Sequence, residues 1–221
     1  MSNEEMLAKV DHTLLKPYAT WADIRQICED AIAYHTATIC IPPSYIGRIR
    51  EAYGDQVTIC TVIGFPLGYQ VTEVKVAEAK KALEDGASEI DMVINIGDAK
   101  GGRFDAVTEE IRALKKAVGD HVLKVIIETC YLTEEEKIEL CHCVTEAGAD
   151  FIKTSTGFGS AGAHLEDVKL LRANVGPQVK VKAAGGIRSI ADMEDFINAG
   201  ADRLGTSSAI QLIKGENSSG Y

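Results

Sequence analysis

The sequence has few positively charged residues compared with negatively charged ones. Its 221 residues include 23 Lys and Arg against 33 Asp and Glu, which gives a formal net charge of −10. Nucleic acids and membrane surfaces are anionic and would repel a chain of this charge on average. We therefore expect neither nucleic acid nor membrane among its partners, whereas a small anionic ligand stays possible where local hydrogen-bond donors collect it.

Segments that direct a chain into or across a membrane are also missing. The N-terminal stretch MSNEEMLAKV (1–10) is acidic and has no basic region followed by an apolar run, and no stretch approaches the length of a membrane span. Six cysteines are scattered through the chain, and without a secretion signal we interpret them as reduced thiols. The sequence therefore predicts a cytoplasmic protein without disulfides.

The sequence has few of the residue patterns that bind a metal ion or a dinucleotide. Cys141-His142-Cys143 looks like a fragment of a metal site, but neighbours on a helix point in different directions and no second cysteine pair follows at zinc-finger spacing. The five histidines fall at no shared strand end. No Gly-x-Gly-x-x-Gly follows the first strand, as a dinucleotide-binding fold would require. We therefore expect a function that needs no metal and no cofactor.

Short apolar runs rich in β-branched residues alternate with charged segments of helical periodicity. Each apolar run is flanked by turn residues, as buried parallel strands are, and the segments between them have one apolar face that can cover a sheet. Three of these segments predict helices, at 71–86, 104–119 and 132–148. The predicted strands are 37–41, 57–65, 89–96, 122–129, 150–155, 179–185 and 202–207, with a first strand near 10–15.

A weak internal repeat supports this alternation. The segments LEDGASEID, TEAGADFIK and INAGADRLG share a junction at which Gly86, Gly148 and Gly200 would take the left-handed conformation that ends a helix before the next strand. Eight strands with helices between them predict an α/β fold, a single (β/α)8 TIM barrel over residues 1–221. We expect a short N-terminal helix and a flexible C-terminal tail from about residue 215, and an open, doubly wound sheet is the alternative fold.

In such a barrel the chemistry belongs at the C-terminal ends of the strands. Asp91 interrupts the fourth predicted strand, Lys153 ends the sixth, and Lys182 lies within the seventh. Strand alternation puts Lys180 and Lys182 on one face, with Lys182 nearer the active end. Any one of these lysines can be a surface residue or an ion-pair partner, and Asp91 can be a structural acceptor. Two lysines and an aspartate together on an apolar wall favour a catalytic site.

Two loops rich in glycine and hydroxyl groups follow the seventh and eighth strands. Residues 183–189 read AAGGIRS, and residues 204–209 read LGTSSA and open a short helix. Glycine lets backbone N–H groups approach an anion, and barrels commonly hold phosphate at these two places. A tight turn and a simple helix cap would explain each loop alone but not both together. The predicted substrate- and phosphate-binding residues are Thr156, Gly185, Gly186, Arg188, Gly205, Thr206, Ser207 and Ser208.

Seven ordered motifs extend over nearly the whole sequence: VDHTLLKP (10–17), TVIGFPLG (61–68), EIDMVINIG (89–97), KVIIET (124–129), FIKTSTGF (151–158), VKAAGGIR (181–188) and RLGTSSA (203–209). In these motifs the chain resembles the deoxyribose-phosphate aldolase family. The resemblance implies a class I aldolase on a metal-free barrel, which splits 2-deoxy-D-ribose 5-phosphate into D-glyceraldehyde 3-phosphate and acetaldehyde during deoxyribonucleotide breakdown. It also implies that Lys153 forms the Schiff base, while Asp91 and Lys182 assist proton transfer.

These residues are suited to that chemistry. The amine of Lys153 would attack C1 of the open-chain sugar, and the resulting imine is an electron sink for cleavage of the C2–C3 bond. Only a neutral amine attacks, so we expect the neighbouring cation Lys182 and partial burial to favour the neutral form of Lys153. Asp91 would move the proton of the C3 hydroxyl through a water molecule.

Several further residues are candidates with a structural alternative. Asp11 and Thr13 are predicted to hydrogen-bond catalytic water at the bottom of the pocket. Tyr221 is predicted to fold over the mouth as an acid, base or lid residue, and a disordered tail is the alternative. Cys40 would lie near the pocket or be a buried strand thiol, and we interpret His12 as structural.

The chain departs from the family pattern at Phe158, where a lysine often follows the Lys-Thr-Ser-Thr-Gly motif. Some phosphate affinity is therefore expected to be weaker or to come from elsewhere. Three other functions stay open: a metal-dependent aldolase, a sugar-phosphate isomerase on the same barrel, and a noncatalytic sugar-phosphate sensor. We expect sugar phosphates and aldehydes as ligands and a homo-oligomer, either a dimer or a tetramer.

Overall fold

Eight short parallel strands close into a barrel in the computed structural model, which describes residues 1–215. Each strand pairs with the next one along the chain, and the last pairs with the first, as at Val10 and Leu204. This confirms the predicted (β/α)8 barrel and excludes the open sheet. The strands are β1 (Val10–Thr13), β2 (Thr38–Ile41), β3 (Ile59–Ile63), β4 (Glu89–Val93), β5 (Val122–Ile126), β6 (Phe151–Lys153), β7 (Lys180–Ala184) and β8 (Arg203–Thr206).

Helices lie between successive strands and cover the outside of the barrel. Within residues 1–215 they are α1 (Asn3–Leu7), α2 (Trp21–Tyr34), α3 (Ile46–Tyr53), α4 (Thr72–Glu84), α5 (Ile96–Lys100), α6 (Phe104–Val118), α7 (Glu134–Glu146), α8 (Leu165–Asn174), α9 (Ile190–Asn198) and α10 (Ala209–Ile213). The first of them is the short N-terminal helix that the sequence predicts. Short 3-10 turns occur at Pro43–Tyr45, Gly54–Gln56 and Thr129–Tyr131.

Local sequence explains where several helices begin and end. The hydroxyl of Thr133 accepts the backbone N–H of Glu136, whose side chain accepts the backbone N–H of Thr133, and this capping box starts α7. The predicted left-handed turns are present at Gly86, Gly148 and Gly200, whose φ angles are 111°, 77° and 112°. Each of these turns ends a helix and directs the chain into the next strand.

Most strands end before the apolar runs that predict them. The run 89–96 is a strand only over Glu89–Val93, because α5 begins at Ile96. Apolar residues continue past the strand because the loop at this end of the barrel is itself buried, as the fully buried Ile94 shows. The run 150–155 contains a strand of only three residues, Phe151–Lys153. The residues beyond the strands form the loops that carry the candidate site.

The inside of the barrel differs from its outside. Outward-facing strand residues such as Ile39, Ile90 and Val125 join the helices in one large apolar core. Burying charged groups inside a barrel costs folding free energy unless they are paired. Charged residues in this interior therefore indicate a functional site. The buried charged residues that point inward from the strands are Asp11, Glu89, Asp91, Lys124, Lys153 and Lys182.

The remaining sequence predictions about the chain as a whole have mixed outcomes. None of the helices that the structure describes is long and apolar enough to cross a membrane. All six cysteines fall within the described range and are free thiols. Cys141 and Cys143 are buried in α7 whereas His142 is exposed, so the helix separates these side chains as expected. Tyr221, with the predicted tail beyond Gly215, lies outside the described residues.

Candidate active site

Lys153, Asp91 and Lys182 meet inside the barrel, from β6, β4 and β7. Their exposed fractions are 3%, 0% and 0%. Nζ of Lys153 lies 2.9 Å from Oδ2 of Asp91, and Nζ of Lys182 lies 2.7 Å from the same oxygen. Lys153 and Lys182 are neighbours in register between β6 and β7, so both amines reach one point. The structure therefore brings the three residues predicted for catalysis together on a single carboxylate oxygen.

The other oxygen of Asp91 is held by residues that the sequence reasoning missed. Nζ of Lys124 donates to Oδ1 of Asp91 at 2.8 Å, and the thiol of Cys60 donates to the same oxygen at 3.2 Å. Lys124 is fully buried and pairs with Asp91 in register between β4 and β5. A signal was present, because Lys124 interrupts the apolar run VLKVIIET just as Lys182 interrupts VKVKAAGG.

A second layer of paired charges lies nearer the N-terminal ends of the strands. Oδ2 of Asp11 contacts Nζ of Lys182, and Oδ1 of Asp11 accepts a hydrogen bond from Nη1 of Arg203 at 2.6 Å. Oε2 of Glu89 lies 3.3 Å from Nη1 of Arg203 and 2.6 Å from Nζ of Lys124. Asp11 is thus a direct partner of Lys182, and it does not line the cavity that leads from solvent to Lys153.

Pairing sets the charge states in this buried layer. Burial alone would raise the pKa of Asp91, but Lys124, Lys153 and Lys182 outweigh burial and hold that pKa well below its ordinary value. Burial alone would lower the pKa of Lys182, but Asp11 and Asp91 outweigh burial and raise that pKa above its ordinary value. Near neutral pH, Asp91 is therefore an anion and Lys182 a cation.

An open cavity leads from solvent to Lys153. Its wall is built from the ends of β1, β6, β7 and β8 and the loops that follow them, which is the side of a barrel where catalysis takes place. Lys153 belongs to this wall, whereas Asp91 and Lys182 lie beneath it. The lining residues are Thr13, Leu15, Lys153, Thr156, Gly157, Ala184, Gly185, Gly186, Ile187, Gly205, Thr206, Ser207 and Ser208.

Seven of the eight residues predicted to bind substrate and phosphate line this cavity, and Arg188 is the exception. Arg188 is exposed, and its backbone N–H donates to Oδ2 of Asp192 at 2.8 Å. The loop turns at Gly185 and Gly186, whose φ angles are 80° and 76°, and these turns leave Arg188 outside the cavity. The structure therefore places Arg188 outside the cavity lining, and its role at the phosphate stays a prediction.

The weaker candidates fall in different places. Thr13 lines the cavity, and its hydroxyl donates to the backbone oxygen of Asp11 at 2.7 Å. Cys40 is fully buried on β2 in a small apolar group that includes Leu15, and of these two residues it is Leu15 that lines the cavity. His12 faces out of the barrel, with Nε2 3.8 Å from Oδ2 of Asp30.

Phe158 follows the cavity-lining turn at the end of β6. Its side chain is 44% exposed, and its ring meets the ring of Phe65 edge-on with the centroids 5.4 Å apart. An aromatic ring carries no charge that could neutralise a phosphate. Weaker phosphate affinity at this end, or affinity supplied by other groups, therefore stays a prediction.

Two groups of buried ligand atoms in the barrel are close enough to hold a metal ion. Within each group the atoms lie within 4.8 Å of one another; the groups are Cys40, Cys60 and Asp91, and Asp11, Cys60 and Glu89. Nζ of Lys124 lies 3.2 Å from Sγ of Cys60, 2.8 Å from Asp91 and 2.6 Å from Glu89. The ammonium group of Lys124 thus already contacts ligand atoms of both groups, and its charge repels a cation. The donor set thus fits lysine better than a metal.

Known proteins resemble this chain over nearly its full length. A family model described as DeoC/LacD family aldolase matches residues 5–210. The deoxyribose-phosphate aldolase of Clostridium botulinum (strain Alaska E43 / Type E3) is 65% identical over 221 residues, which is 100% of both chains. That of Clostridioides difficile (strain 630) is 56% identical over 218 residues, 99% of this chain and 100% of the relative. The solved tetrameric deoxyribose phosphate aldolase of Aeropyrum pernix is 36% identical, with a TM-score of 0.91 over 97% of this chain and 92% of that one.

Proposed function

The chain belongs to the DeoC/LacD family of aldolases, and from this premise we propose that it is a deoxyribose-phosphate aldolase. It cleaves 2-deoxy-D-ribose 5-phosphate reversibly to D-glyceraldehyde 3-phosphate and acetaldehyde, in the breakdown of deoxyribonucleotides. The observation that carries the proposal is the position of Lys153, whose amine belongs to the cavity wall while its charged partners lie beneath. A lysine so placed can form a Schiff base with an aldehyde that enters the cavity.

The first step is attack of the Lys153 amine on C1 of the open-chain sugar. The amine must first give up its proton, and two ammonium groups compete for the same oxygen of Asp91. Lys182 stays charged beside that oxygen, whereas Lys153 borders the open cavity, so the attacking amine is that of Lys153. The carbinolamine then takes up a proton and loses water, which leaves a protonated imine.

The protonated imine is the electron sink for carbon–carbon cleavage. When the C3 hydroxyl loses its proton, the C2–C3 bond breaks, its electron pair moves into the imine, and glyceraldehyde 3-phosphate leaves an enamine on Lys153. Asp91 receives this proton through a water molecule, because its carboxylate lies beneath the cavity wall. Protonation of the enamine carbon and hydrolysis of the new imine release acetaldehyde and the free amine.

Neutral donors hold the substrate phosphate in this proposal. Backbone groups of Gly185 and Gly186 and the hydroxyls of Ser207 and Ser208 line the same cavity as Lys153. Among the described lining residues, Lys153 is the one that carries a positive side chain. Hydrogen bonds from bare backbone and short side chains suit a phosphate group when no cation is at hand. A preference for phosphorylated over unphosphorylated deoxyribose in binding experiments is the result that we expect.

The alternative functions fit this site less well. A metal-dependent aldolase would need ligand atoms that Lys124 already satisfies. A sugar-phosphate isomerase would interconvert isomers without splitting a carbon–carbon bond, and a sensor would bind ligand without trapping it on lysine. Neither an isomerase nor a sensor requires two lysine amines that contact the same carboxylate oxygen, as Lys153 and Lys182 do.

Assembly and location are part of the same proposal. The relative from Aeropyrum pernix is described as a tetramer, and we infer that this chain also assembles into a homo-oligomer. The six free thiols suit a reducing compartment, which supports a cytoplasmic location. Light scattering on the purified protein measures the mass of the assembly, and a monomer at all concentrations would contradict the inference.

A cleavage assay tests the proposed activity. Purified protein is incubated with 2-deoxyribose 5-phosphate, with and without chelator, and both aldehyde products are measured. We expect equal amounts of the two products, no effect of chelator, and a loss of roughly a thousandfold or more in kcat for Lys153→Leu. Lys180→Leu is the matched control, because Lys180 is exposed at the start of β7. Near-normal turnover by Lys153→Leu would end the Schiff-base assignment, and isomerisation without cleavage would support the isomerase.

A further inference from the structure

Glu128 is a buried carboxyl group that the proposed reaction does not use. It follows β5 at the end of the barrel that holds the cavity, and the whole residue is only 2% exposed. Its backbone is left-handed, with φ 56°, and within residues 1–215 His35 is the only other non-glycine residue with positive φ. Residues with a Cβ atom adopt this conformation rarely, and structures retain it mostly at functional sites.

Both carboxylate oxygens of Glu128 accept hydrogen bonds from Thr156, and the thiol of Cys130 lies 4.0 Å from Oε1. Oε1 of Glu128 accepts the backbone N–H of Thr156 at 3.2 Å, and Oε2 accepts its hydroxyl proton. The backbone N–H of Thr129 also donates to the backbone oxygen of Thr154 at 2.9 Å. The loop after β5 thus holds the turn after β6 through both side-chain and backbone hydrogen bonds.

These contacts change the role of Thr156 itself. Its backbone N–H and its hydroxyl proton are both donated to Glu128, and its hydroxyl oxygen accepts the N–H of Phe158 at 3.0 Å. Thr156 therefore lines the cavity but has no donor left for a phosphate group. Its hydrogen bonds instead fix the shape of the turn that begins directly after Lys153.

This turn forms a wall for the loop predicted to bind phosphate. The hydroxyl of Thr154, at the start of this turn, accepts the backbone N–H of Ala184 at 3.1 Å and donates to the backbone oxygen of Ala184 at 3.3 Å. A Cβ atom built on Gly185 would lie 3.7 Å from Cα of Gly157, so the turn leaves little space beside the loop. A displacement of the turn would therefore move or loosen the backbone at Gly185. Glu128 reaches the phosphate end of the cavity through this contact and not by touching the ligand.

The far side of Glu128 is equally crowded. A Cβ atom built on Gly159 would lie 3.1 Å from Cδ of Glu128 and 2.8 Å from Sγ of Cys130. Glycine at this position lets the chain pass close over the carboxylate and holds it against Thr156. The carboxylate is thus enclosed on both sides by the segment that it orders, which distinguishes it from a carboxyl group free to exchange protons with a substrate.

We propose that Glu128 is a positioning residue, which orders the Thr156 turn and through it the wall of the phosphate loop. The inference rests on the proposed function. It predicts that Glu128 strengthens binding of the phosphorylated end of the substrate rather than the reaction of the aldehyde end at Lys153. Removing the carboxylate should therefore weaken the enzyme towards a phosphorylated sugar more than towards the same sugar without phosphate.

The test compares kcat/KM of Glu128→Gln and wild type on 2-deoxyribose 5-phosphate and on 2-deoxyribose. We expect a loss of about tenfold or more on the phosphorylated sugar, mainly through KM, and a change of less than about threefold on the unphosphorylated one. Glu51→Gln, on the exposed face of α3, is the matched control and should behave as wild type on both sugars. Binding of inorganic phosphate, measured by calorimetry, should weaken in Glu128→Gln by a similar factor.

A second pair of variants identifies the route of the effect. Thr156→Val removes the hydroxyl and should reproduce the loss on the phosphorylated sugar, and Thr156→Ser should restore most of it. The double variant Glu128→Gln with Thr156→Val should lose no more than the single variants do, because both changes break one contact. If Glu128→Gln does not fold, Thr156→Val and Thr156→Ser carry the same comparison.

The outcomes separate this inference from the proposed function. Equal losses on both sugars, or unchanged phosphate binding by Glu128→Gln, would overturn the positioning role while leaving the aldolase intact. Additive losses in the double variant would overturn the route through Thr156. If wild type splits neither sugar the proposed function fails, and weaker phosphate binding by Glu128→Gln would still support the positioning role.

Discussion

Asp91 uses its two carboxylate oxygens for different partners. Oδ2 contacts the amines of Lys153 and Lys182, and Oδ1 is held by Lys124 and the thiol of Cys60. Because Lys124 is fully buried and pairs in register with Asp91, its hydrogen bond fixes the rotation of the carboxylate. We expect this bond to keep Oδ2 directed at the two amines, so that Lys124 supports catalysis without reaching the cavity.

Replacement of Lys124 tests this role. Lys124→Met leaves Asp91 and Glu89 with one cation fewer, and removing one partner of a buried ion pair costs about 3–5 kcal/mol. We expect a lower melting temperature together with a kcat reduced by roughly a hundredfold. Adding Glu89→Gln removes the excess negative charge and should restore part of the stability but not kcat, because Oδ1 of Asp91 still lacks its donor. Recovery of kcat in the double variant would contradict the orienting role.

The carboxyl group of Glu128 should leave a signature in the pH dependence of stability. Burial raises its pKa above the ordinary 4.5, although hydrogen bonds from Thr156 and the charge of Lys153 act in the opposite direction. Between the ordinary and the raised value, the folded protein binds more protons than the unfolded chain does. The free energy of unfolding should therefore fall as the pH rises through this window.

Comparison with Glu128→Gln isolates the contribution of Glu128 to the pH dependence of stability, because the amide does not titrate. Urea denaturation of both proteins between about pH 4 and pH 8 measures the free energy of unfolding. We expect the free energy of unfolding of wild type, relative to that of Glu128→Gln, to fall as the pH rises through the window of Glu128. Parallel curves would show that Glu128 titrates alike in the folded and unfolded chain.

The loops after β6 and β7 are packed so closely that neither can move alone. The backbone N–H of Ala163 lies 3.1 Å from the backbone oxygens of both Ala184 and Gly185. A Cβ atom built on Gly162 would lie 2.4 Å from the carbonyl carbon of Gly185 and 2.9 Å from the backbone nitrogen of Gly186. The phosphate loop is therefore supported by the preceding loop, backbone against backbone.

Gly162→Ala should displace this support, because the new methyl group would meet main-chain atoms that cannot rotate away. We expect KM for 2-deoxyribose 5-phosphate to rise by about tenfold or more, with a destabilisation of about 1–3 kcal/mol from overpacking. Gly47→Ala in α3 is the matched control, because a Cβ atom built there would meet no atom of residues 1–215 within 4 Å. In the first turn of that helix alanine should stabilise by less than about 1 kcal/mol, with KM unchanged. Unchanged KM in Gly162→Ala would contradict the coupling of the two loops.

For the molecule as a whole, local patterns predict the barrel better than they predict the site. Apolar runs, helical periodicity and left-handed glycines such as Gly86 are properties of short segments, and they are sufficient to predict eight strands with helices between them. Pairing across the barrel is different, since Arg203 and Asp11 are 192 residues apart in the sequence. Such contacts depend on strand register and on the closure of the barrel, which no single segment contains.

The same reasoning explains which site residues the sequence predicts. Lys153 and Lys182 stand out because charge interrupts an apolar strand, and Lys124, in the motif KVIIET, meets the same criterion. Its partners Cys60 and Asp91 lie on other strands, so its role becomes visible only in the closed barrel. The prediction of Arg188 at the phosphate rests on its closeness in sequence to Gly186, whereas the direction of the chain depends on two left-handed turns. Glu128 lies in the motif KVIIET, but its role is not visible in the sequence because it depends on a contact with a turn that begins after the next strand.

The most direct test of the whole account is to trap the imine. The protein is incubated with 2-deoxyribose 5-phosphate and a hydride reductant in the presence of chelator, and the modified peptide is mapped by mass spectrometry. The account predicts one stable adduct per chain, on Lys153, and none in Lys153→Leu, because Lys153 is the lysine in the cavity wall. An adduct on Lys182 would reverse the roles of the two lysines, and an active enzyme that forms no adduct would contradict the Schiff-base mechanism.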